Sequence, residues 1–233
     1  MLNSKQIKKI ATQLGADLCG IAAVDSFKEA PKGFHPKDIY EDTKSVLVFA
    51  KRFPASSLNS KSKVPYAFAG DMVLEEVFKI TIQLVNIIND YGLFAIPIPS
   101  EPYEYWDENK KEGRGILSLK HAGYLAGLGF LGKNTLLYNE RFGNMITLGA
   151  VLINQELKSD PIAAYKFCKD QCSLCIQNCP VQAIDGTSVI QKLCRENSQI
   201  TTAKGYSFYT CSKCRTICPG KNGIKEKVRV LAK

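Results

Sequence analysis

Long apolar runs are missing from this 233-residue chain. Its longest, such as Val46 to Ala50 and Gly149 to Ile153, fall far short of the roughly 20 residues that cross a bilayer, so they read as buried strands. An export signal is missing too. Lys5, Lys8 and Lys9 are spread through an amphipathic pattern with no apolar block or small-residue cleavage site behind them, so no membrane association is expected and the cytoplasm is the expected location. Histidine is scarce: His35 and His121 are the two in the chain. Acid–base chemistry on imidazole therefore has few candidates. His121, in a helical run, has the better-matched ordinary pKa, and His35 has no informative context.

What is present is ordinary for a globular protein: 45% hydrophobic and 23% charged residues, enough apolar material for a core and no sign of disorder. The length predicts a main domain with a smaller appendage. An α+β layout follows from the pattern of periods. Ser4 with Ile7, Ile10, Ala11 and Leu14 predicts a capped helix stopped at Gly15. Strands are expected near Asp17 to Val24 and Ser45 to Lys51, and an exposed loop from Phe53 to Pro65. A long helix is expected from about Gly70 to Tyr91, ended by Gly92, followed by a strand from Leu93 to Ile98. Pro97 and Pro99 place that strand at a sheet edge or end. Strand-like runs recur at Asn134 to Tyr138 and Met145 to Asn154. Between Pro99 and Gly115 an irregular stretch carries Tyr103, Tyr105 and Trp106, either an ordinary loop or a lid over a flat ligand.

Nine cysteines are the feature that composition alone cannot explain. In a reducing compartment they argue for metal rather than for disulfides. Cys19 stands apart in an apolar run and reads as a small core thiol. The other eight form Cys168-x3-Cys172-x2-Cys175-x3-Cys179-Pro180 and Cys211-x2-Cys214-x3-Cys218-Pro219, with Cys194 between them. Short loops of two residues wrap successive thiolates around one cubane, and the cysteine before proline crosses to the other cluster. Two 4Fe-4S clusters are therefore expected, one on Cys168, Cys172, Cys175 and Cys218, the other on Cys179, Cys194, Cys211 and Cys214. The gap after Cys168 is one residue longer than the usual bacterial pattern. Zinc is the competing reading of Cys-x2-Cys pairs, but zinc sites have no use for a crossing cysteine followed by proline.

The formal charge is +9, which favours an anionic partner, nucleic acid or an acidic electron carrier. Two oxidised clusters of about −2 each, thiolates included, would bring the holoprotein to about +5. Lys221, Lys225, Lys227, Arg229 and Lys233 form a basic tail.

Gly127-Leu-Gly-Phe-Leu-Gly132-Lys133-Asn134 fits Gly-x-Gly-x-x-Gly and comes close to a P-loop. Neither context is right. The preceding segment, Ile116 to Ala126, reads as a helix rather than a strand, and Asn134 replaces the magnesium-binding Ser or Thr. What remains is a turn open to close approach at Gly127, Gly129 and Gly132, with the charge of Lys133. It is a docking place for an anionic or amide-rich cofactor or a plain helix-to-strand turn.

The string from Ala126 to Asn134, then Thr135-Leu-Leu, Leu148-Gly-Ala-Val-Leu and the two cysteine groups resembles the epoxyqueuosine reductase family, relatives of reductive dehalogenases. The resemblance implies a nitroreductase-like, cobalamin-binding domain over residues 1–158 and a ferredoxin-like domain with two clusters over 159–233. It implies that Gly127, Gly129, Gly132, Lys133 and Asn134 lie against the corrin, which the clusters reduce. Flavin is the alternative cofactor of such a fold. The implied partners are a low-potential donor such as ferredoxin or flavodoxin, a corrinoid protein, and tRNA. The implied function is a reductase acting through its own corrinoid on an unidentified substrate. The alternative is an electron-transfer protein that serves another protein's corrinoid or flavin. Where the family carries a catalytic aspartate in Asp-Ser-Ala-Pro, this chain has Pro99-Ser100-Glu101-Pro102. Many members continue into helical repeats that help hold tRNA, so a short form is expected here. Glu101, Asp107, Lys120 and His121 are the nearby alternatives as proton donor.

Overall fold

A computed structural model describes residues 2–100, 103–166 and 168–224. Helix α1 (Ser4–Gln13) is capped by Asn3, one residue before the expected cap Ser4. Asn3 accepts from the Gln6 N–H while the Gln6 side chain accepts from the Asn3 N–H, a reciprocal cap that Ser4 could not complete with its own third neighbour. Gly15, at φ +105°, turns the chain into strand β1 (Leu18–Ala23). Helix α2 (Pro36–Ile39) is a single turn capped by His35, whose Nδ1 accepts from the Lys37 N–H at 3.1 Å. That cap is the context the sequence did not supply for this histidine.

The centre is a four-stranded sheet in the order β1, β2, β8, β3, with every pairing antiparallel. Strands β2 (Ser45–Arg52) and β8 (Ile146–Ile153) are interior, and β3 (Ala95–Ile98) is an edge, where Pro97 leaves no ladder bond unmade. Alternate residues of β2 point to opposite faces. Leu47 and Phe49 meet Val77, Ile80, Leu84 and Ile88 of α3 (Val64–Asp90), whereas Val46, Val48 and Ala50 meet Ala122 of α4 (Leu119–Leu125). Both faces are covered, so the strands read as unbroken apolar runs. Helix α3 starts well before Gly70, because Pro65 sits in the first turn, where its missing N–H costs nothing. It is long, but no helix among the described residues is long and apolar enough to cross a membrane.

Two small hairpins flank α4: β4 (Tyr105–Asp107) with β5 (Glu112–Arg114), and β6 (Phe130–Leu131) with β7 (Leu137–Tyr138). The run expected from Asn134 thus supplies two strand residues. Beyond β8 the chain carries short elements: α5 (Leu174–Gln177), α6 (Gln191–Ser198), β9 (Gln199–Thr201), β10 (Ser207–Tyr209) and α7 (Lys213–Thr216). None of the three buried hydrophobic groupings among the described residues includes a residue past Leu157. The last third has almost no apolar core of its own.

Candidate functional site

In that last third, short turns bring the cysteines together. Helix α5 carries Cys175 and packs against α7, which carries Cys214. A cavity of about 310 Å³ is walled by Cys168, Cys172, Cys175 and Cys218 together with Tyr138 and Asn134. Burial raises the Cys175 thiol above its ordinary value, and the charges of Cys168, Cys218 and Cys172 add to it. Cys194 is raised by burial and then by Cys211 and Cys179. Burial pushes Cys214 up to about 11, with Arg215 opposing and Cys194, Cys211 and Cys175 reinforcing. Cys175 thus feels Cys168, Cys172 and Cys218, Cys194 feels Cys211 and Cys179, and Cys214 feels Cys175 as well as Cys194 and Cys211. Among the described residues, no three Cys, His, Asp or Glu side chains are placed to hold a single metal ion. Zinc would need cysteine sulfurs about 2.3 Å from one point. Cys168, Cys172, Cys175 and Cys218 line one space.

The glycine turn adjoins this space but does not open onto a free surface. A Cβ on Gly129 would strike the Tyr138 carbonyl, and one on Gly127, at φ +73°, the Pro161 carbonyl. These glycines let backbone approach backbone. Lys133 Nζ donates to the carbonyls of Asp170 and Cys172, at 2.5 and 2.9 Å, and so ties the turn to the first cysteine loop. Asn134, buried, donates to the Tyr138 hydroxyl and to the Cys214 carbonyl.

A second, larger cavity of about 690 Å³ lies where β2 and the turn before β8 end. Its walls include Arg52, Phe53, Glu140, Arg141, Phe142 and Met145. The Arg52 and Arg141 guanidinium carbons stand 6.0 and 4.7 Å from the Phe142 ring centroid, and that of Arg215 stands 5.7 Å from Phe53. Arg215 follows Cys214 and donates to the Asn144 carbonyl, so it joins this wall to the cysteines. Sequence reasoning missed these residues. A signal existed, since the dipeptide Arg-Phe occurs at 52–53 and again at 141–142.

The aromatic stretch is not a lid over either cavity. Tyr103 and Trp106 stack with centroids 6.1 Å apart, and the Arg195 guanidinium of α6 lies 4.9 and 5.1 Å from their rings. Gln191 of α6 exchanges amide hydrogen bonds with Gly113 at 3.0 and 3.1 Å. The hairpin is docked on the helix that carries Cys194.

The proton-donor candidates fare unevenly. Glu101 lies outside the described residues, as do Lys225, Lys227, Arg229 and Lys233 of the basic tail. Hydrogen bonds from the Lys110 and Asn109 N–H groups hold the Asp107 carboxyl below its usual range, so it is ionised. Burial lowers Lys120, and burial with Lys120 lowers His121, whose Nδ1 is 2.7 Å from Ser118 Oγ. Cys19 is a core thiol pushed up to about 12 by burial.

No family model matches the chain. An epoxyqueuosine reductase of Leadbetterella byssophila is 27% identical over 258 residues, covering 93% of this chain and 79% of that protein. The chain is similar to the epoxyqueuosine reductases over nearly its whole length. The epoxyqueuosine reductase of Staphylococcus aureus is 31% identical, but the match takes in 47% of this chain and 31% of that protein. Two solved structures share the fold. Epoxyqueuosine reductase from Streptococcus thermophilus matches with a TM-score of 0.66 and 17% identity over 96% of this chain and 67% of that one. The catabolic reductive dehalogenase NpRdhA matches with a TM-score of 0.70 and 19% identity over 98% of this chain and 33% of that one. One related epoxyqueuosine reductase was solved with a modified tRNA stem loop.

Proposed function

We propose that this chain is an iron–sulfur reductase that uses a corrinoid, built from a nitroreductase-like part and a ferredoxin-like part with two 4Fe-4S clusters. The observation that carries the reading is the cysteine-walled cavity in a segment with almost no hydrophobic core. Small segments that cannot bury enough apolar surface are commonly held by metal. Cys168, Cys172, Cys175 and Cys218 would hold the inner cluster, and Cys179, Cys194, Cys211 and Cys214 the outer one. The Ala183 N–H donates to Cys179 Sγ at 3.2 Å, which stabilises a thiolate there.

The larger cavity suits the organic cofactor better than the glycine turn does. Phe53 and Phe142 offer flat apolar faces, while Arg52 and Arg141 offer donors to amides or phosphate. A corrinoid there would supply the metal-centred reduction. This chain's residues would orient it, and Glu140 brings the carboxyl group to that wall. Arg215 and Asn144 hydrogen-bond to each other between that wall and Cys214. A low-potential donor such as ferredoxin or flavodoxin would feed the outer cluster. A nucleotide or tRNA substrate would answer to the positive charge.

Anaerobic purification with iron and sulfide analysis, followed by titration with cobalamin under visible absorption, tests the reading. Eight irons per chain and a shift to a base-off spectrum that weakens in Arg141→Ala are expected. Tight flavin binding with no response to cobalamin would remove the corrinoid, and a protein free of sulfide would remove the clusters.

A further inference from the structure

Tyr138 ends β7, is buried, and lines the four-cysteine cavity. Its hydroxyl oxygen accepts two hydrogen bonds, one from Asn134 Nδ2 and one from Asn144 Nδ2, each at 2.9 Å. Each amide is held the right way round by a second acceptor. Asn134 Nδ2 also donates to the Cys214 carbonyl at 3.2 Å, and Asn144 Nδ2 to the Arg215 carbonyl at 3.4 Å. Turning either amide over would set oxygen against oxygen. The ring is equally constrained: Phe130 stacks on it with centroids 5.6 Å apart, and a Cβ on Gly132 would meet it from another side.

A phenol has two lone-pair positions and one proton. Both lone pairs are occupied, so the proton points elsewhere, and Cys218 lines the same cavity as the phenol. We propose that Tyr138 donates its hydroxyl proton to the Cys218 thiolate and thereby raises the reduction potential of the cluster held by Cys168, Cys172, Cys175 and Cys218. The inference rests on the cluster reading given above. An added electron increases the negative charge on the ligand sulfurs, so a fixed donor stabilises the reduced form more than the oxidised one. Burial strengthens that preference. Tyr138 touches no substrate and acts through Cys218. On the other set of cysteines, Cys179 accepts from a backbone N–H, which no side-chain change removes.

The test is a redox titration of the reconstituted full chain, followed by electron paramagnetic resonance, on wild type and Tyr138→Phe. The expected result is a lower potential for one cluster, with its reduction equilibrium shifted roughly tenfold toward the oxidised form, about 59 mV for a one-electron couple. The other cluster should not move, and iron and sulfide should stay at wild-type content. Asn144→Leu, which keeps the phenol and frees one lone pair, should shift the same cluster in the same direction by less; it decides the matter should Tyr138→Phe lose iron. Unchanged potentials in the variants, or equal shifts of both clusters, would overturn the proposal while leaving the clusters in place. Wild-type protein without iron and sulfide would overturn the underlying reading instead.

Discussion

Replacing Lys133 with methionine separates two roles that sequence and structure give this side chain. The sequence leaves Lys133 free to face an anionic cofactor. The structure spends its ammonium on the carbonyls of Asp170 and Cys172, at 2.5 and 2.9 Å, on the loop that carries Cys168 and Cys172. A hydrogen bond from a charged donor contributes about 1.5–3 kcal/mol. Lys133 is half-buried, so water replaces part of the loss, and about 2 kcal/mol for the pair is a reasonable expectation. At about 1.4 kcal/mol per decade, opening of the cysteine loop becomes roughly 30-fold more frequent. The assay is the rate of iron release to an excess of ferrous chelator under anaerobic conditions, with wild type in parallel. Lys133→Met should release iron roughly 30-fold faster from one of two clusters, with corrinoid affinity nearly unchanged. Wild-type iron release together with a large loss of corrinoid affinity would refute the reasoning and return Lys133 to the cofactor.

Arg195→Ala removes the guanidinium beside Tyr103 and Trp106, so amides of residues 103–114 should exchange with deuterium faster while the central sheet keeps its protection; uniform exchange across the chain would contradict the docking. Cys19, half-buried with its thiol pushed up to about 12, should resist iodoacetamide at pH 8 until the protein is unfolded, and labelling of the native protein would show that strand β1 opens. His121 is depressed by burial and by Lys120. The unfolded chain binds its proton more readily, so stability should be full above about pH 6.5 and fall as the pH drops below it. His121→Gln should flatten that part of a thermal-unfolding profile, and an unchanged slope would discard the linkage.

The fold was legible wherever burial imposes a period. Residues 45–51, the long helix and the proline-marked edge strand all follow from side chains that must face a core. Boundaries were not, because they turn on one atom: the Asn3 side-chain oxygen completes a cap with Gln6 that Ser4 cannot, and Pro65 extends α3 because an N–H is not needed in a first turn. The cysteine spacing carried the four-and-four grouping as an expectation, since chain length limits which sulfurs can meet. The glycine turn misled in a specific way. Glycine marks close approach without saying to what, and here the approach is to the Tyr138 and Pro161 carbonyls. The larger cavity stayed hidden because Arg52 and Arg141 lie almost ninety residues apart and meet only when β2 pairs with β8.

Among the described residues the buried hydrophobic groupings stop at Leu157, and this divides the molecule's dependence on its surroundings. The sheet and its helices need only water to fold. The segment beyond them would need iron and sulfide, and without these its backbone lies open to proteases near residues 158–166, where the chain runs without helix or strand. The supply of metal, rather than the rate of translation, would then set how much intact protein a cell holds.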